Sequence, residues 1–117
     1  MIIKTLILSG GAVLAALNAA AAVASGPAEP HAYASEAITS GQYAAAEKIL
    51  QPASFADAGD PARLINIATV YAQTSRTAEA RAALQRVQRL PDEALTLSNG
   101  ASYSSRAIAG AMLKRLP

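Results

Sequence analysis

A chain of 117 residues has room for one domain at most. Apolar residues make up 52% of it but aromatics only 4%, so the core has to be built from Ala, Leu, Ile and Val, which favours helices packed on helices. The absence of cysteine excludes disulfides, thiolate nucleophiles and cysteine metal sites, and a net charge of +2 is a weak argument for a nucleic-acid or membrane-surface partner.

Residues 1–24 read as a secretory leader. Lys4 supplies the positive end, and Thr5 to Leu17 is an apolar run interrupted only by Ser9, Gly10 and Gly11. Small residues follow, and Ala22-Val23-Ala24 gives the small-x-small pattern that a leader peptidase needs, because its pocket admits only short side chains. Cleavage is therefore expected after Ala24, leaving a periplasmic or secreted chain that opens with Ser25-Gly26-Pro27. The competing reading is a retained anchor, since Thr5 to Ala24 reaches the roughly 20 residues of a membrane span. Ser9, two glycines and Asn18 make it a poor one. Contact with a membrane is expected only through this leader, if it stays uncleaved.

Two later stretches repeat each other. The run from Gly41 to Leu50 aligns with that from Ser75 to Leu84, and the pairs Ala46/Ala80, Leu50/Leu84, Ala34/Ala68 and Tyr33/Ile67 all share one offset in the chain. In the first unit, about 27–58, Tyr33, Ala34, Ala37 and Ile38 mark one helix. Ala46, Ile49, Leu50 and Ala53 mark the next. In the second unit, 61–92, Leu64, Ile67, Ala68 and Tyr71 fall at i, i+3, i+4 and i+7, one face of a helix. Ala80, Ala83, Leu84, Val87 and Leu90 form the facing stripe. Asp60-Pro61 supplies an N-cap and a proline at the first helical position.

This spacing and pattern resemble the tetratricopeptide repeat, whose period of about 34 residues equals the shared offset. The second unit matches it better than the first, as suits an end repeat that lacks a neighbour on one side. The resemblance implies a short antiparallel array of helix pairs whose first helices line a concave, partner-binding side. The groove positions it implies are His31, Ser35 and Thr39 from the first unit and Ile65, Asn66, Thr69 and Gln73 from the second. Asn66 matches a position where some members hold a peptide's terminal carboxylate. The accompanying lysines and arginines are missing here, so that activity is not carried over.

Beyond Asp92 the register stops. Leu95-Thr96-Leu97 alternates, Asn99-Gly100 suits a type I′ turn, and Ser102-Tyr103-Ser104 provides a returning strand. The alternative is a short helix from Asp92 to Ser98 ended by Gly100; the hairpin is favoured. A last helix follows, capped by Ser104 or Ser105, with Ile108, Ala109, Met112, Leu113 and Leu116 as its stripe. Lys114 and Arg115 sit in its last turn, where positive charge opposes the macrodipole. The expected fold class is thus all-α, divided into a leader (1–24), two helix pairs (25–92) and a hairpin with a capping helix (93–117).

No catalytic set emerges. His31 is the single histidine, and without cysteine it cannot build a common zinc site. The acidic residues are scattered, no nucleophile elbow surrounds the serines of 98–105, and Ser9-Gly10-Gly11 lies inside the leader. Neither an enzyme nor a cofactor or metal is expected. A second surface, the outer face of the last repeat helix, carries Arg76, Arg81, Arg86 and Arg89 with Gln85 and Gln88. It reads as a solvated face, or as a dock for an acidic partner or anionic lipid. The lack of interleaved aromatics argues against nucleic acid. The expectation is a protein-interaction module binding another protein or an extended peptide. The rival is a self-assembling structural envelope protein, a homo-oligomer whose copies cover the apolar faces left by two incomplete repeats.

Overall fold

The computed structural model describes residues 24–25, 33–51, 58–97 and 99–117, which form five helices and three short strands. In chain order these are β1 (Ala24–Ser25), α1 (Ser35–Thr39), α2 (Tyr43–Leu50), α3 (Pro61–Gln73), α4 (Thr77–Arg89), β2 (Ala94–Leu97), β3 (Ser102–Ser104) and α5 (Ser105–Arg115). The protein is mostly helical with one small antiparallel sheet, in keeping with the all-α expectation. The sheet runs β1-β2-β3, with Ala24 opposite Leu97 and Thr96 opposite Ser102.

Helix α3 is the centre of the molecule and packs against α2, α4, α5 and β1. Asp60 starts it as expected: Ala62 N donates to Asp60 Oδ1 at 3.0 Å and Pro61 follows the cap. Every residue from Pro61 to Val70 is buried, so α3 is covered on all sides instead of along one stripe. Leu64, Ile65 and Ala68 face a core shared with Ala80, Leu84 and Val87 of α4, Leu95 and Leu97 of β2, and Ile108, Ala109 and Met112 of α5. Ile67 and Val70 face a smaller core made with Ala34, Ala37, Ile38, Ala46 and Leu50. Half-buried Tyr71 and Ala83 touch both. The single face expected of Leu64, Ile67, Ala68 and Tyr71 is therefore divided between two cores. Ala53, expected in the stripe of the second helix, lies outside the described residues.

The repeat offset reappears in the backbone. Where α1 turns into α2, Gln42 N donates to Ala37 O at 2.8 Å and Gly41 N to Ile38 O at 3.1 Å. Where α3 turns into α4, Arg76 N donates to Tyr71 O at 2.8 Å and Ser75 N to Ala72 O at 3.3 Å. Each donor and acceptor in the second turn lies beyond its counterpart in the first by the same offset as the aligned residue pairs. Both sets are the paired six-to-one and five-to-two bonds of a Schellman ending, which needs a left-handed residue. Gly41 (φ 77°) and Ser75 (φ 64°) supply it. The hydroxyls repeat too: Ser40 Oγ donates to Glu36 O, and Thr74 Oγ1 to Val70 O, both at 2.8 Å. All four aligned pairs, Ala46/Ala80, Leu50/Leu84, Ala34/Ala68 and Tyr33/Ile67, are buried.

The equivalence fails upstream. Ala34 takes a left-handed φ of 56° and sits at the N-cap, so α1 begins only at Ser35 and lasts five residues. A helix running continuously through Tyr33 and Ala34 is thereby corrected. The favoured hairpin at 93–104 is present, and β2 alternates with Leu95 and Leu97 buried between exposed Ala94 and Thr96. Its turn differs from expectation. Of the Asn99-Gly100 pair only Gly100 has positive φ (89°), whereas type I′ needs both. Leu97 N closes the loop on Ala101 O at 2.8 Å. Ser104 caps α5 by accepting from Ala107 N at 3.0 Å, and Lys114 and Arg115 occupy the last turn. Among the described residues, no helix is long and apolar enough to cross a membrane. Of the expected leader, residues 1–23 lie outside the described residues. Ala24, the last residue of that expected leader, belongs to the sheet and the larger core.

Candidate functional site

Three polar side chains, Arg63, Asn66 and Thr69, interrupt the otherwise apolar stretch from Pro61 to Val70 of α3 at every third position. All three are buried, and each is spent on backbone. Arg63 Nη1 donates to Leu50 O at 2.6 Å, closing the C-terminal end of α2, and Nη2 reaches Ala58 O at 3.4 Å. Asn66 bridges two segments: its Oδ1 accepts from Ala24 N, while its Nδ2 donates to Ala24 O and Tyr33 O, all at 2.9 Å. Those partners fix the amide orientation, since a flipped group would face carbonyl with carbonyl. Thr69 Oγ1 donates to Ile65 O in its own helix at 3.1 Å. Tyr33 is held further by its hydroxyl, which donates to Asp60 Oδ2 at 2.9 Å.

The expected groove residues are thus not gathered on one open surface. Ile65, Asn66 and Thr69 are buried. Ala24 of β1 and Tyr33 pack over Ile65 and Asn66, so these two side chains are covered by the chain itself. Thr39 is exposed on α1, and half-exposed Ser35 borders a hollow of about 640 Å³ with Ala34, Ala37, Ala45 and Ile49. His31 lies outside the described residues. Thr69 and Gln73 do meet, in a second cleft of about 390 Å³ where the C-terminal half of α3 faces the end of α5. Ala68, Ala72, Leu84, Met112 and Leu116 give it apolar walls, and Thr69, Gln73, Ser75, Thr77 and Arg115 a polar rim. Among the described residues lining it, no side chain is a carboxylate, imidazole, thiol or amine, so these offer hydrogen bonds, apolar contact and one guanidinium. Sequence alone does not single out Arg115 and Met112 for this site, because only the packing of α5 against α3 brings them to it.

Half of the arginine face is tied down. Arg76 grips Glu47 with both terminal nitrogens, approaches Glu79 at 3.7 Å and lies 4.6 Å over the Tyr71 ring. The hydrogen bond from Arg76 holds the Glu47 carboxyl below its ordinary pKa, and the same bond raises that of Arg76. Arg81 Nη2 donates to Pro117 O at 2.7 Å and Gln88 Nε2 to Arg106 O at 3.0 Å. Gln85, Arg86 and Arg89 remain exposed. Arg76 and Arg81 therefore join elements of the fold.

No protein-family model matches this chain, and no curated protein or solved structure matches it either.

A further cluster sits at the start of α5. Asp92 Oδ1 accepts from Arg106 N and from Ser105 Oγ, each at 3.1 Å, while Ser105 Oγ accepts from Glu93 N at 3.0 Å. Arg106 closes the ring by donating through Nε and Nη2 to Leu90 O. The backbone bond from Arg106 is the main reason the Asp92 carboxyl lies below its ordinary pKa, aided by the Ser105 and Ser104 hydroxyls. Asp92 is thus a capping group for α5, a role its place beside Glu93 in a polar turn does not announce. Among the described residues, no three His, Cys, Asp or Glu side chains come together as a metal site.

Proposed function

We propose that this chain is an exported, non-catalytic interaction module of the tetratricopeptide kind, periplasmic or secreted, which takes an extended segment of another protein. The observation that carries the repeat reading is the bond-for-bond recurrence of the two interhelical turns at the offset shared by the aligned residues. The cleft between α3, α4 and α5 is the better partner surface, because it is open and contains Thr69 and Gln73, whereas Asn66 is already occupied by the chain. Its apolar walls suit an aliphatic side chain, and its hydroxyls, amide and guanidinium suit main-chain carbonyls or a carboxylate.

Co-purification from envelope extracts tests this with Gln73→Arg and Arg115→Glu, both on the rim, so that folding is spared. Recovery of the wild-type partner should fall about tenfold in each. Undiminished recovery with both variants removes the cleft as the site. Asn66→Ala is unsuitable for this purpose, because its loss would report folding. Self-assembly keeps one support, the hollow lined by Ala34, Ala37, Ala45 and Ile49. Sedimentation showing a monomer at every concentration would remove that second reading.

A further inference from the structure

We infer that the leader is cut upstream of Ala24, after Ala22, so that the mature chain begins at Val23 and keeps Ala24 within its fold. This rests on the leader reading and concerns where the cut falls. Ala24 has no exposed surface and lies in the same core as Tyr33, Ile65, Leu95 and Leu97. It pairs with Leu97 across the sheet, and its N–H and C=O are both bound by the Asn66 amide at 2.9 Å. Removing residue 24 would strip the buried amide of both bonds to that residue, leaving Tyr33 O as its remaining partner. Buried polar groups are rarely left so, because each unpaired one loses its water without replacement.

The sequence supplies another cut. A leader peptidase needs small residues one and three positions before the scissile bond, and Ala20-Ala21-Ala22 satisfies this as well as Ala22-Val23-Ala24 does. Cutting after Ala22 leaves Val23 ahead of Ala24, so the Ala24 nitrogen stays a peptide N–H, as in the structure, and not a terminal ammonium. The step is a simple hydrolysis. Water adds across the Ala22–Val23 bond, the carboxylate remains on Ala22 with the released leader, and the amino group remains on Val23.

The full chain, expressed in an exporting bacterial host, should yield an envelope-fraction species whose intact mass begins at Val23. A mass beginning at Ser25 overturns the inference and leaves the leader reading standing. An unprocessed chain confined to the cytoplasm overturns both. A second variant separates the two cuts whether or not it folds: Ala24→Leu blocks the position before the downstream bond and leaves Ala20-Ala21-Ala22 intact. Pulse-labelled Ala24→Leu should be processed as fast as wild type, and accumulation of its precursor would overturn the assignment.

Discussion

Asn66 joins three parts of the chain through one side chain, so replacing it separates packing from polarity. Leucine shares the branching and heavy-atom count of asparagine but leaves Ala24 N, Ala24 O and Tyr33 O without their partner. Asn66→Leu should therefore destabilise the fold by about 3 kcal/mol, read as a lower urea midpoint at unchanged slope. A loss below about 1 kcal/mol would mean that Ala24 is not held as described. The burial of this residue is hidden from the sequence for a physical reason. Helical periodicity shows that Arg63, Asn66 and Thr69 share a stripe, but a stripe that meets backbone looks the same as one that meets water. The decisive partner of Asn66 lies far upstream, at the edge of a segment that the sequence alone reads as a leader outside the fold. Arg63 carries the clearer hint, since an arginine surrounded by apolar positions on both turns has to find carbonyls.

At the level of elements, the two Schellman turns differ in one respect that can be measured. Gly41 adopts its left-handed φ without strain, whereas Ser75 holds the same geometry against the crowding of its Cβ. Ser75→Gly should stabilise by about 0.5–1 kcal/mol, and Gly41→Ala should destabilise by about 1 kcal/mol. An added Cβ at Gly41 meets nothing within 4 Å, so the second effect is purely backbone. Opposite signs in thermal melts are the expected result; equal signs would break the equivalence of the turns. The start of α5 makes a pH prediction. The Asp92 pKa is depressed in the folded chain, so its contribution is complete above the ordinary carboxylate value of about 4 and fades as pH falls through the depressed one. Melting temperature should drop on acidification through that window, and Asp92→Asn should flatten the drop. These elements are legible to different degrees. Helix starts at Pro61 and Ser105 and the hairpin strands follow from local signals, because caps and alternation act within a few residues. The short α1 does not, since nothing in Tyr33-Ala34 announces a left-handed alanine.

Across the whole molecule, the two cores imply two levels of stability. The smaller one, between α1, α2 and one side of α3, rests on Ala34, Ala37 and Ala46 with Ile38, Leu50, Ile67 and Val70. The larger one adds α4, α5 and the sheet and retains most of α3 when the first pair opens. Apolar burial scales with area, so the first pair should detach at lower free energy than the rest. Two side chains oppose that opening: Arg76 holds Glu47 in the middle of α2, and Arg63 holds the carbonyl of Leu50 at its end. Native-state hydrogen exchange should show the amides of α2 exchanging through a sub-global opening, ahead of those in α3 and α4. Glu47→Gln keeps the shape but weakens the grip on Arg76. Since that ion pair is partly open to solvent, exchange in α2 should quicken only a few-fold, with α4 unchanged. Equal protection of α2 and α4, or equal acceleration in both, would show a single cooperative unit instead. The position of Arg76 makes the distinction sharp, because it sits in the turn that starts α4 and yet reaches back to α2. If the opening is sub-global, that guanidinium releases Glu47 while staying over Tyr71, and the second helix pair keeps its own core throughout.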